Sequence, residues 1–251
     1  MRAGRARATL DRVTIAITGA NGHVGTHLRA RLPDARPFTR HDALDLAGVN
    51  TVVHLAGTLA PKRPDTFTQA NVDTLKATLA ACDGRIVLLS YPGADPASPN
   101  AYLRAKGEAE RLLQGRDAVI VRSTFIVGPP ESRGPSATPL LGDRVFVIGS
   151  GRQRYAPVHV ADVVETLARF ATDAATASGT YALAGPETLT LDDLVRRLNG
   201  DEVKIRHLHP LAGRLLARLP AATVAVLAAD SLPDASPLAA DALGLELRRV
   251  R

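Results

Sequence analysis

Two ionisable side chains stand four residues apart in the run Tyr102-Leu103-Arg104-Ala105-Lys106, in a chain of 251 residues that holds only 4 tyrosines and 4 lysines. On a helix, residues i and i+4 share a face, so phenol and ammonium would lie side by side. A tyrosine at its ordinary pKa of about 10 is a poor base near neutrality, and a neighbouring ammonium favours the phenolate. The pair has the make-up of a general acid–base group.

A second run carries binding chemistry. Thr18-Gly19-Ala20-Asn21-Gly22-His23-Val24-Gly25 follows an apolar stretch and leads into an amphipathic one. Glycines in that setting permit a tight turn, a close backbone approach to a pyrophosphate, and helix-on-strand packing. The helix that follows presents the positive end of its dipole to the phosphates. No G-x-x-x-x-G-K-[ST] run occurs anywhere in the chain, which excludes a P-loop nucleotidase.

These groups need elements to position them. Residues 13–17 (VTIAI), 51–55 (TVVHL), 85–89 (RIVLL) and 118–122 (AVIVR) are near-continuous apolar runs. Strands buried on both faces of a parallel sheet read this way. Between them, Val24, Leu28 and Leu32 recur every four residues, Val72, Leu75 and Leu79 share a face, and 102–113 reads as a helix opening after Ser98, Pro99 and Asn100. Strand–helix alternation with short links predicts an α/β fold, a Rossmann-type doubly wound parallel sheet over 13–128. Residues 1–12 are expected to form a flexible basic arm. Residues 129–251 complete the sheet and build a small C-terminal substrate lobe, with short strands near 145–148 and 156–160, a helix from 162, a strand at 181–183 and a helix from about 191.

Composition narrows the function classes. The lone Cys82 excludes a disulfide framework, and 45% apolar with 22% charged residues argues against disorder. The longest apolar stretch, 221–229, falls short of the roughly 20 residues a membrane span needs. The net charge of +6 comes from 27 Arg and 4 Lys, without interleaved aromatics, and its one dense cluster (Arg2, Arg5, Arg7, Arg12) lies in the arm. Nucleic acid is therefore not expected as a partner. The arm lacks an apolar h-region, so it reads as a frayed terminus, not a secretory signal, and a cytoplasmic location is expected. His207 and His209 have no Cys or carboxylate at ligand spacing, so no metal is expected.

The spacing Gly19-x-x-Gly22-x-x-Gly25 after Thr18 resembles the short-chain dehydrogenase/reductase superfamily. The form T-G-A-N-G-H-V-G is most similar to its extended and atypical branches, which include NAD-dependent epimerase/dehydratases and NmrA-like proteins, and the resemblance spans about residues 13–195. It implies that Gly19, Asn21, Gly22, His23, Val24 and Gly25 cradle a nicotinamide dinucleotide. His54-Leu55-Ala56-Gly57 resembles the family's strand-end H-L-A-[AG], whose backbone (Leu55, Ala56, Gly57) borders the cofactor. Asp45-Leu46 resembles its adenine-side pair, and Asn71-Val72-Asp73-Thr74 its N-V-x-G-T helix. By the same resemblance Tyr102 exchanges the substrate proton while hydride moves to or from nicotinamide, Lys106 also holds the nicotinamide ribose, and Ser90 polarises the substrate oxygen. Tyr91 stands where the family often has a second Ser or Thr.

Cofactor selectivity is read about 20 residues past the glycines, where an acid binds the ribose 2′-OH and an Arg binds a 2′-phosphate. Arg40 stands there, favouring NADP(H), while Asp42 keeps NAD(H) open. Only about ten residues separate Arg40 from the third strand, too few for a crossover helix, and Pro37 is awkward for an interior strand. Arg122–Pro129 resembles the family's R-P-x-x-x-x-G-P strand end, expected to shape the nicotinamide edge, and Pro157–Val163 its P-[VI]-H-V-x-D-V-A segment. His159 reads as a structural histidine, Asp162 as a helix-start carboxylate, and Arg152 and Arg154 as a solvated hairpin.

The expected activity is an NAD(P)-dependent oxidoreductase acting on a small carbonyl or hydroxyl substrate or a sugar derivative. The second reading is a nucleotide-binding module without turnover. The run Leu89-Ser90-Tyr91-Pro92-Gly93-Ala94-Asp95 also resembles NmrA-type redox sensors and the NADPH-binding accessory subunit of respiratory complex I. An intact Tyr102/Lys106 pair favours catalysis. The stretch 211–227, apolar on a wide face with Arg214 and Arg218, reads as a helix over the substrate cleft, with peripheral membrane association as the lesser use. Oligomeric state stays open.

Overall fold

The computed structural model describes residues 13–61, 66–135, 137–173, 175–212 and 218–251. The basic arm and Arg214 lie outside the described residues.

Six parallel strands form the central sheet: β1 (Ile15–Thr18), β2 (Arg36–Phe38), β3 (Thr51–His54), β4 (Arg85–Ser90), β5 (Ala118–Ser123) and β10 (Gly179–Leu183), in the order β10-β5-β4-β3-β1-β2. The chain starts mid-sheet, winds outward to β2, then returns to wind the other way. The reversal beside β1 opens a crevice at the strands' carboxyl ends, where such sheets bind ligands.

Side chains alternate between the two faces of each strand. Ile15, Ile17, Val53, Val87, Val119 and Val121 pack beneath α1 (His23–Arg31) and α4 (Val160–Thr172). Ala16, Val52, Ile86, Leu88 and Ala118 pack beneath α2 (Thr74–Ala81) and α3 (Ala101–Arg111). Double coverage is why these strands are apolar at nearly every position. Each buried Val, Leu or Ile contributes about 1.5–3 kcal/mol.

Asn100 starts α3, its side-chain oxygen accepting from the Tyr102 and Leu103 amides. No helix joins β2 to β3, as the short spacing requires. Pro37 is accommodated because β2 is an edge strand, not the interior one its sequence position suggested; one side of an edge needs no amide donor.

The remaining elements form a second cluster around Phe125, Val127, Val145, Val147, Tyr155, Leu191, Leu194 and Val195. It holds β7 (Arg144–Ile148) paired in parallel with β12 (Lys204–Leu208), β8 (Arg154–Tyr155) antiparallel to β11 (Leu189–Thr190), and α5 (Leu191–Asn199). Two short helices, α6 (Ala221–Leu227) and α7 (Ala239–Leu243), close the chain. Among the described residues no helix is long and apolar enough to cross a membrane.

Candidate active site

A groove of about 520 Å³ runs along the carboxyl ends of β1, β2 and β3. Thr18, Gly19, Asn21 and Gly22 form one wall, Phe38, Thr39, Arg40, Asp42 and Leu44 one end, and Leu55, Ala56, Gly57 and Thr58 the other side. Gly19 has φ +69°, and a Cβ there would lie 2.7 Å from the Ala56 nitrogen. Only glycine lets the loop turn this close to the neighbouring strand end. Gly22 caps α1 without a side-chain hydrogen bond, and the helix carries no acid in its first turn. Its first amides are thus left for an anion.

Several residues expected to touch a cofactor also make contacts within the protein. Val24 is a core residue and Gly25 packs against Gly19, where a Cβ would sit 2.4 Å from its carbonyl oxygen. Both shape the loop from behind. The His23 ring is held against Gly134, whose Cβ would come within 2.6 Å of it, and meets His27 edge-on at 5.2 Å. Burial, then the His27 charge, holds His23 below the usual histidine range. Leu46 is buried beneath the sheet, and Asp45 accepts from the Ala47 amide at 3.1 Å and faces Arg36. The apolar wall at that end is Leu44. Asp42 accepts from the Thr39 amide at 2.6 Å, which holds its carboxyl below the ordinary range.

Asn71, read from sequence only as part of a helix motif, fastens the far wall. Its Oδ1 accepts from the Thr58 amide, and its Nδ2 donates to the Thr58 and Phe67 carbonyls.

Ser90 ends β4, Tyr102 and Lys106 stand on α3, and none of the three lines the groove. Lys106 Nζ donates to the Leu89 carbonyl at 2.7 Å. Burial pushes the ammonium down to about 8, against an opposing pull from Glu110. The Tyr102 ring lies edge-on between Tyr91 (5.8 Å) and Phe67 (6.0 Å) and is only 8% exposed. Burial, with the nearby Tyr91, pushes the phenol above its ordinary value. No lowering by Lys106 offsets that rise, and the folded chain holds Tyr102 protonated. His54, in register with Thr18 on β1, has its Nδ1 2.9 Å from Thr18 Oγ1 and 3.2 Å from Thr78 Oγ1. Burial and the Lys106 charge push it down to about 3, so the imidazole is neutral.

The Ser90 hydroxyl donates to Glu110 Oε1 at 2.5 Å. Glu110 also accepts from Arg122 Nε (3.1 Å) and Nη2 (2.6 Å), and Arg122 Nη1 reaches Asp234 at 2.8 Å. Arg122, the register partner of Ser90, lies on the α3 side of the sheet. Tyr102, Lys106 and Glu110 recur at four-residue spacing along α3, a periodicity that could have exposed Glu110 in the sequence.

The C-terminal segment is fastened across this end. Thr223 Oγ1 donates to the Leu59 carbonyl (2.5 Å), Asn100 Nδ2 to that of Ala222 (2.9 Å), and Tyr155 to that of Leu227 (2.9 Å). Tyr91 donates to Ser231 Oγ at 3.0 Å, and Ser231 Oγ lies 3.1 Å from the Phe125 amide, which donates to it. Arg154, expected in a solvated hairpin, pairs with Asp230 of the same segment. His159 caps α4 by accepting from the Ala161 amide, and His207 bonds Asp192 at 3.0 Å. Among the described residues no His, Cys, Asp or Glu cluster could hold a metal.

No family model matches the chain. It is 29% identical over 201 residues to the ceramide reductase of Caulobacter vibrioides, covering 65% of this chain and 62% of that protein. It is 29% identical over 159 residues to an Arabidopsis thaliana protein, NADH dehydrogenase [ubiquinone] 1 alpha subcomplex subunit 9, mitochondrial, covering 59% of this chain and 40% of that one. The chain thus spans less than two thirds of either relative. In fold it superposes on MoeE5, solved with UDP-glucose and NAD, at a TM-score of 0.65, with 19% identity and 94% of both chains covered. DesIV of Streptomyces venezuelae, a dTDP-glucose 4,6-dehydratase solved with NAD and TYD, gives 0.63 at 22% identity, over 78% of this chain and 84% of that one. The chain resembles the extended short-chain dehydrogenase/reductases in sequence and in fold. The chain carries a six-stranded Rossmann-type sheet with the glycine loop after the first strand.

Proposed function

We propose that the chain is an NAD(P)-dependent reductase of the extended short-chain type, with Tyr102 as proton donor and Lys106 beside it. The observation that carries this reading is the buried Lys106 ammonium, held at the Leu89 carbonyl, one helical turn along α3 from a buried phenol. A buried lysine opposes folding unless it is used, because desolvation penalises its charge.

The groove suits a nicotinamide dinucleotide. Bare amides at the start of α1 would hold the pyrophosphate, Phe38 and Leu44 offer apolar surface to adenine, and Arg40 is the group for a 2′-phosphate, favouring NADP(H) over NAD(H). The bound dinucleotide would supply the hydride. Lys106 would turn from the Leu89 carbonyl to the nicotinamide ribose. Tyr102, kept protonated by burial, is suited to give its proton to the oxygen of a carbonyl being reduced. Ser90, committed to Glu110, contributes by fixing the end of β4.

A second reading has its own support. The C-terminal segment and the ring of Tyr91 cover Tyr102, and one relative is a complex I subunit. In that reading the chain holds the nucleotide without turning it over. A carbonyl panel with NADPH, assayed on wild type and Tyr102→Phe, separates the two. Turnover that disappears in the variant while NADPH affinity is kept supports the reductase. Tight NADPH binding with no turnover on any carbonyl supports the binding module.

A further inference from the structure

We infer that the outer face of the β7–β12 pair docks on a bilayer surface carrying anionic lipid. The two strands turn Val145, Val147 and Ile205 inward onto Leu194 and Val195 of α5. Their outward positions are Arg144, Phe146 and Ile148 on β7, in register with Lys204, Arg206 and Leu208 on β12. Arg144 faces Lys204 at one end, Phe146 faces Arg206 in the middle and Ile148 faces Leu208 at the other end, so the face grades from cationic to apolar and none of the six is a carboxylate. Asp143, Asp201 and Glu202 lie in the links before the strands, at the end that carries Arg144 and Lys204, so Arg206 beside Phe146 is the cation farthest from an acid. Among the described residues no ion pair ties Arg144, Lys204 or Arg206, whereas Arg85, Arg122, Arg154 and Arg197 each meet a carboxylate.

Phe146 is 54% exposed, and Leu211, three residues past β12, is 64% exposed; they are the two most exposed large apolar side chains described. An aromatic ring standing out among cations suits the interfacial zone, where the ring enters the headgroup boundary and the charges meet anionic lipid. A second copy docked on the same face about a two-fold axis would set these cations against themselves. A polyphosphate chain would leave Ile148 and Leu208 unused.

The full chain is sedimented with vesicles of phosphatidylcholine alone and of phosphatidylcholine mixed with phosphatidylglycerol. Binding is expected only to the mixed vesicles and weakens as salt rises. Each of Arg144→Gln, Lys204→Gln and Arg206→Gln weakens it about fivefold, and Phe146→Ser about tenfold. These positions are outside the proposed catalytic groups, so NADPH binding and carbonyl turnover stay unchanged, and failure of the reductase reading would leave this result untouched. Undiminished vesicle binding in the triple Gln variant overturns the inference, because arginines elsewhere would then carry it. So does equal binding to phosphatidylcholine alone, a dimer that Phe146→Ser abolishes, or single-stranded nucleic acid outcompeting the vesicles.

Discussion

Replacing Lys106 by methionine separates function from stability. The ammonium is buried in α3 and its folded-state pKa is pushed from 10.5 down to about 8. The folded chain therefore binds this proton more weakly than the unfolded chain does. Stability then rises with pH wherever the unfolded state holds the proton and the folded state does not, from about pH 8 to pH 10.5. Below pH 8 both states hold it and the full cost applies, about 3 kcal/mol from the gap between the two values. Methionine has similar length and no charge. Its cost is the lost bond to the Leu89 carbonyl, about 1–2 kcal/mol. At pH 7 Lys106→Met should thus be more stable by about 1–2 kcal/mol, a Tm higher by roughly 2–8 °C for a chain of this size. The assay is thermal unfolding of both proteins from pH 6 to 10.5, with NADPH-dependent turnover measured alongside. The wild type should gain on the variant above pH 8 while the variant has lost turnover. Parallel stability curves across that range would refute the placement of a buried, desolvated ammonium at residue 106.

Other outcomes follow from the same geometry. Arg40→Ala should weaken NADPH binding about 10–100-fold in a fluorescence titration and leave NADH nearly unchanged, since one charge-assisted contact is at stake; equal losses would remove the 2′-phosphate assignment. Glu110→Ala strips the partly buried Arg122 of its principal partner and leaves it Asp234; it should cost about 2 kcal/mol, a fall in Tm of roughly 4–8 °C by calorimetry. Asn71→Ala releases the loop at Thr58 and should raise the dissociation constant for either coenzyme about tenfold, with kcat at saturation little changed. Gly19→Ala should abolish coenzyme binding, because its Cβ would drive Leu55 and Ala56 out of the groove wall.

The sheet was legible because its strands are buried on both faces and therefore apolar throughout, a pattern that survives in the bare sequence. The glycine loop was legible because only glycine fits φ +69° with a backbone 2.7 Å away. What escaped depended on contacts between distant residues. Arg122 lies 12 residues from Glu110 and 112 from Asp234 along the chain, and no local pattern announces that they meet. The Tyr102 phenol was expected to be eased toward the phenolate by Lys106; four-residue spacing says nothing of the burial and the Tyr91 ring that push it the other way. Leu46 and Leu44 have the same chemistry two residues apart, and only the turn at Asp45 decides which one faces the groove. Pro37 looked wrong for a strand until the topology put β2 at the edge.

The most direct test is a crystal structure of the full chain with NADPH. The account predicts the adenine beside Leu44 and Arg40, the pyrophosphate on the amides after Gly22, and the nicotinamide C4 facing the Tyr102 hydroxyl, with Lys106 turned to its ribose. A groove left empty at saturating coenzyme, or a nicotinamide lying away from residue 102 behind an undisturbed C-terminal segment, would contradict it.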